Sequence, residues 1–84
     1  MFILYILKSK KDNDIYIGVT PNLRKRLHEH NSGKVFATKF RLPFKLIYCE
    51  VYKDKHDAFN REKMLKYHGQ GLRRLKERLT NSLS

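Results

Sequence analysis

Glu62 stands where a carboxylate is costly. From Asp54 to His68 the chain reads as a helix, and Ala58, Glu62 and Leu65 fall at i, i+4 and i+7, on one face. That face should meet the core, so a carboxylate on it needs a cation or strong donors. It is either half of a structural ion pair with a nearby lysine or arginine, or a metal-ligating or catalytic carboxylate. An earlier helix carries a similar anomaly. Leu23 and Leu27 form its apolar stripe, and Arg26 and His30, four residues apart, flank that stripe on one side. They either snorkel, with an apolar stem and a wet head, or serve a site at the edge of the core. Tyr5 and Tyr16 lie eleven residues apart. They share one face of a hairpin if its loop holds an even number of residues; an odd loop or a bulge would separate them. Tyrosines pack well on sheets, so both a packing role and a chemical one stay open. Gly18 weakens a strand, and marks a bulge or a close approach by another backbone or a ligand.

The elements that must position these side chains follow from periodicity. Phe2 to Lys8 is apolar, aromatic and β-branched and reads as a strand. Ser9 to Asn13 is turn chemistry, and Asp14 to Val19 alternates, so the two strands should form an antiparallel hairpin. Thr20 reads as an N-cap with Pro21 at the first helical position; this helix runs to about Asn31 and ends at Ser32 and Gly33. Lys34 to Pro43 is an irregular basic stretch. Phe44 to Lys53 is a third strand, with Phe44, Leu46, Tyr48 and Tyr52 on one face and Ile47, Cys49 and Val51 on the other. Asp54 caps the second helix, with Asp57 favourable in its first turn, and Gly69 and Gly71 break it. Leu72, Leu75 and Leu79 give a short third helix its apolar stripe. The order β-β-α-β-α-α predicts an α+β fold, a small three-stranded antiparallel sheet flanked by helices.

Eighty-four residues allow one small domain, read here as residues 1–79 with a fraying tail over 80–84. Lysine and arginine total 19 against 8 acidic residues, a net charge of +11, which points to a polyanionic partner. A membrane surface is the weaker candidate, because the basic residues are spread over several elements rather than along one amphipathic helix. The single cysteine, Cys49, can form neither an internal disulfide nor a cysteine-based zinc site. Met1 to Leu7 is apolar but too short to span a bilayer, and it lacks the basic start and cleavage site of a signal peptide. A cytoplasmic location is therefore expected.

Taken in order, these residues resemble the GIY-YIG nuclease family over nearly the whole chain. Tyr16-Ile17-Gly18 stands for the second half of the family name, while Ile3-Leu4-Tyr5 keeps only the tyrosine of the first half. Ten residues past Tyr16, Arg26 matches the family's catalytic arginine; His30 matches its histidine and Glu62 its metal-binding glutamate. Three departures stand out. The larger nucleases carry an asparagine some twelve to fifteen residues after the glutamate, and Arg74 to Glu77 holds none; Asn81 lies too far along. Some DNA-repair members carry a lysine directly after Tyr-Ile-Gly, where this chain has Val19. The well-understood members also attach a separate DNA-binding domain, so this chain is expected to hold substrate with its own surface.

The resemblance implies metal-dependent hydrolysis of phosphodiester bonds in nucleic acid, DNA ahead of RNA. Glu62 would hold a divalent ion, Mg²⁺ or Mn²⁺, and Arg26 would stabilise charge on the phosphate. Tyr16 would be the general base, Tyr5 would orient the attacking water, and His30 would hold a tyrosine hydroxyl. The basic residues Lys34, Lys39, Arg41, Arg61, Lys63, Lys66, Arg73 and Arg74 are candidates for nucleic-acid contact. Tyr67 and His68 could touch bases or sugar. The competing reading is a nucleic-acid-binding module that keeps the fold without useful catalysis.

Overall fold

A computed structural model describes residues 1–67 and 69–84. The second helix was expected to end on His68, which lies outside the described residues. Strand β1 (Phe2–Ser9), strand β2 (Ile15–Thr20), helix α1 (Leu23–Asn31), strand β3 (Phe44–Tyr52), helix α2 (Lys55–Tyr67) and helix α3 (Gly69–Arg78) follow the expected order. A further turn, α4 (Thr80–Leu83), occupies the stretch read as a tail, and Lys8 Nζ donates to the Leu83 carbonyl. The three strands form one antiparallel sheet in the order β2-β1-β3.

Ser9 N–H donates to the Asp14 carbonyl at 2.9 Å, which extends the pairing by one residue beyond β2 and leaves a loop from Lys10 to Asn13, closed by Asn13 N–H donating to the Ser9 carbonyl at 3.0 Å. Asn13 sits at φ 62°, a conformation asparagine tolerates better than most residues. Four loop residues satisfy the even-number condition. Tyr5 pairs with Gly18 and Leu7 with Tyr16, so Tyr5 and Tyr16 share a face.

The two faces bury different cores. On one, Leu4, Ile6 and Ile17 pack with Leu65 of α2 and Leu75 of α3. On the other, Tyr5, Leu7 and Phe44 pack with Leu23 and Leu27 of α1 and with Leu42. This places α1 on the tyrosine face and α2 and α3 opposite.

Three local expectations are corrected. Strand β3 does not keep Phe44, Leu46, Tyr48 and Tyr52 on one face. Leu46 pairs with Leu7 but Tyr48 pairs with Ile6, so Ile47 is an extra residue that bulges the strand. Phe44 belongs to the tyrosine-face core, whereas Ile47, Tyr48 and Tyr52 pack on the opposite one. The cap of α1 is Asn22, whose side chain accepts from Lys25 N–H at 3.1 Å. Thr20 is instead the buried last residue of β2, paired with Ile3. The second helix ends at Tyr67, before the two glycines, but the third starts at Gly69 rather than Leu72, so Gly69 and Gly71 lie in its first turn. Backbone N–H groups have no intrahelical partner there, and the cost of glycine falls on the helix end rather than its interior.

Candidate active site

Tyr5 starts on the central strand, and its ring crosses the bare backbone of Gly18 on β2. A Cβ on Gly18 would lie 2.4 Å from the Tyr5 hydroxyl oxygen. The close approach inferred at Gly18 is therefore real, but it comes from a side chain of the same sheet. Its hydroxyl meets His30 from α1, with Tyr5 Oη and His30 Nε2 2.9 Å apart. The other ring nitrogen, Nδ1, lies 2.8 Å from Thr38 Oγ1. Tyr5 is 1% exposed, and His30 and Thr38 are fully buried.

The charges decide the direction of these hydrogen bonds. Burial, with a further push from Arg26, holds the His30 imidazole down at about 4, so it is neutral near pH 7. Arg26 lies beside the Tyr5 hydroxyl and can only donate. With that cation beside its oxygen, Tyr5 turns its O–H away from Arg26 and donates it to His30 Nε2. The remaining ring proton sits on Nδ1 and is donated to Thr38. Burial pushes the Tyr5 phenol up, Tyr16 and Glu62 add to the push, and Arg26 opposes it. Tyr5 thus keeps its proton and acts as a fixed donor.

Tyr16 completes an aromatic cluster around His30. Its ring centroid is 5.0 Å from that of His30 and 6.5 Å from that of Tyr5. Unlike Tyr5 it is only half-buried. Glu62 comes from the opposite layer. Its side chain is 21% exposed and pairs with Lys66, Oε2 to Nζ at 3.3 Å, and Lys66 Nζ lies 5.7 Å from the Tyr16 ring centroid. The Glu62–Lys66 pair thus reaches round the β2 edge of the sheet to the tyrosine cluster. Arg26 is half-exposed and pairs loosely with Glu29 at 3.4 Å. Beside it opens a cavity of about 390 Å³, lined by the end of β2 and the start of α1 and including Lys25.

Thr38 and Lys66 were not read as parts of this cluster. Lys66 carried a signal, standing four residues after Glu62 on one helix face. Thr38 carried none, since nothing in an irregular loop marks which residue turns inward.

The basic residues divide into two groups. Lys34, Lys63, Arg73 and Arg74 are exposed, and Lys39 lies between two phenyl rings. Arg41 and Arg61 have their forks engaged within the molecule. Arg41 binds Asp12, with Nε to Oδ2 at 2.6 Å. Arg61 binds both carboxylate oxygens of Glu50, which also accepts from the Tyr48 and Tyr52 hydroxyls at 2.6 Å each. Both arginines thus tie distant parts of the fold together. The Arg74–Glu77 window lies on α3, where Arg74 joins Arg61 and Arg78 around a cavity of about 260 Å³. No helix among the described residues is long and apolar enough to cross a membrane.

Known proteins share this sequence pattern. A UPF0213 protein of Streptococcus pneumoniae is 44% identical over 64 residues, covering 75% of this chain and 64% of the relative. UPF0213 proteins of Staphylococcus haemolyticus and Streptococcus agalactiae are 42% and 38% identical over the same length, covering 77% and 72% of those relatives. The match thus spans just under two thirds of the pneumococcal protein. No solved structure matches the chain. The profile of the GIY-YIG catalytic domain matches residues 1–79. That span runs from β1 through the end of α3 and leaves no strand of the sheet and no member of the cluster outside it, so the chain belongs to the GIY-YIG family of nuclease-type domains.

Proposed function

We propose that this chain is a metal-dependent endonuclease that hydrolyses phosphodiester bonds in nucleic acid, DNA ahead of RNA. GIY-YIG domains are in general endonuclease domains that use a divalent metal. The observation that carries the reading is the Tyr5 hydroxyl, buried and bonded to a neutral His30 with the Arg26 guanidinium close by. A packing tyrosine needs neither partner. Here His30 fixes the hydroxyl beneath a half-exposed arginine.

Glu62 suits a hard cation. It offers one half-buried carboxylate, and the described residues contain no group of three or more His, Cys, Asp or Glu side chains that could hold a metal. One carboxylate with water and phosphate oxygens fits Mg²⁺ or Mn²⁺ better than zinc. Held by Glu62, such an ion would supply Lewis acidity to the scissile phosphate. Arg26 turns its fork from Glu29 to the phosphate and stabilises the charge that grows in the transition state. Tyr5 stays protonated and orients the attacking water, with His30 and Thr38 locking its hydroxyl. Tyr16, more open than Tyr5, takes or relays the proton of that water. Lys34, Lys63, Arg73 and Arg74 supply affinity that depends on salt rather than on base sequence.

One observation favours the second reading, a binding module without useful catalysis. The Glu62 carboxylate is already paired through Oε2 with Lys66, a cation that competes with a metal for it. Incubation of pure protein with single-stranded, duplex and branched DNA, and with RNA, with and without Mg²⁺ or Mn²⁺, separates the two. The nuclease reading expects metal-dependent cleavage that Glu62→Ala abolishes while binding persists. Arg26→Ala should slow cleavage on the order of 10²–10³-fold. A parent protein that binds but cleaves nothing with either metal establishes the binding module instead.

A further inference from the structure

The segment between α1 and β3 carries a feature that the hydrolytic cluster does not use. Two successive turns build it. Thr38 N–H donates to the Val35 carbonyl at 3.1 Å, and Arg41 N–H donates to the Thr38 carbonyl at 2.9 Å. Val35 and Thr38 point inward and are buried. The corner residues Phe36 and Phe40 point outward and are 83% and 74% exposed. Turn corners normally hold glycine, proline or small polar residues. The two phenyl rings stand in water and join neither core. Between them stands Lys39, its Nζ 4.8 Å from one ring centroid and 4.9 Å from the other. Lys34 is exposed at the start of the same segment.

We infer that Phe36, Lys39 and Phe40 form a stacking platform for an unpaired nucleobase, with Lys39 taking the adjoining phosphate. The inference rests on the nucleic-acid reading above and narrows its substrate to DNA that presents unpaired nucleotides, single-stranded or branched. Every base has a face that stacks on an aromatic ring, whereas bases inside a duplex are already stacked on each other. A phenyl–lysine–phenyl arrangement matches the alternation of flat base and anionic phosphate along a single strand. The segment is also anchored to the hydrolytic cluster, because Thr38, between the two rings in sequence, is the residue bonded to His30 Nδ1. A nucleotide held on the platform therefore has a fixed geometry relative to Tyr5 and Arg26.

The test is fluorescence anisotropy with a labelled 15-nucleotide single-stranded DNA and the matching blunt duplex, in EDTA, for the parent, Phe36→Ala, Phe40→Ala and Lys39→Ala. Both phenylalanines are exposed, so the variants should melt with the parent. Each phenylalanine variant should weaken single-strand binding on the order of 10-fold and leave duplex binding within about 2-fold. The Phe variants should keep the salt slope, and Lys39→Ala should reduce it by about 0.7 on single strands. Equal losses on both DNAs, or no loss on either, overturn the platform. Because the assay contains no metal, it stands apart from cleavage. A parent that never cleaves but shows this single-strand selectivity removes the nuclease and keeps the platform. Cleavage indifferent to both phenylalanines, with unchanged binding, does the reverse.

Discussion

Replacing Gly18 by alanine should dislodge Tyr5, and the size of the effect can be worked from the structure. The new Cβ would lie 2.4 Å from Tyr5 Oη, 2.5 Å from Cζ and 3.0 Å from Cε1. The ring must therefore retreat by roughly 1 Å to reach ordinary contact distance. Tyr5 is buried among Leu7, Phe44 and the α1 leucines, so the retreat presses on a filled core. Overpacking of this kind costs about 1–3 kcal/mol. Loss of the 2.9 Å bond leaves His30 Nε2 buried without a partner, at about 1–3 kcal/mol more. The sum is a large part of the roughly 5–15 kcal/mol that holds a small domain together. Urea denaturation of Gly18→Ala, alone and in a Tyr5→Leu background, measures it. With the ring gone the same alanine should cost almost nothing, since alanine is otherwise the better strand residue by roughly 0.5–1 kcal/mol. A single variant within about 0.5 kcal/mol of the parent, or an equal loss in both backgrounds, would refute the reasoning.

Three further outcomes are expected. His30 titrates at about 4 in the folded chain against roughly 6.5 when unfolded. Stability should thus be full above pH 6.5 and decline as pH falls towards 4, by about 3 kcal/mol; a urea midpoint that stays flat from pH 7.5 to 4.5 would contradict this. Thr38→Val should cost about 1–3 kcal/mol by orphaning the Nδ1 proton of His30, and Thr38→Ser should recover most of it, as read by thermal melting. Glu50→Ala strips the acceptor from Arg61, Tyr48 and Tyr52 at once and should destabilise by about 1–3 kcal/mol, with Glu50→Gln milder in the same denaturation assay.

What was legible in the sequence, and what was not, divides along physical lines. The shared face of Tyr5 and Tyr16 follows from the period of two and an even loop, and the four-residue loop supplies that condition. The half-buried setting of Glu62 follows from the period of the helix, and its Lys66 partner sits at the expected i+4 spacing. The bulge at Ile47 could not be seen, because one extra apolar residue in an apolar run leaves no mark on composition. The capping role of Asn22 was masked by Thr20-Pro21, which is an equally good helix start until the ladder claims Thr20. The commitments of Arg41 and Arg61 depend on long-range partners, Asp12 and Glu50, which no local pattern pairs with them.

The strand order β2-β1-β3 also bears on how the chain is made. The apolar strand β1 is central, flanked on one side by a strand that follows it closely and on the other by β3. The hairpin with β2 can close as soon as both strands leave the ribosome. The other edge of β1 stays unpaired while roughly 30 more residues are synthesised, a matter of seconds at about 5–20 residues per second. During that interval Phe2 to Leu7, six residues without a charge or a proline, is an open template for pairing with another nascent chain. Lys8, Lys10 and Lys11 directly after it act as charged gatekeepers. Removing those lysines should leave the finished fold nearly as stable while lowering the soluble yield of newly made protein.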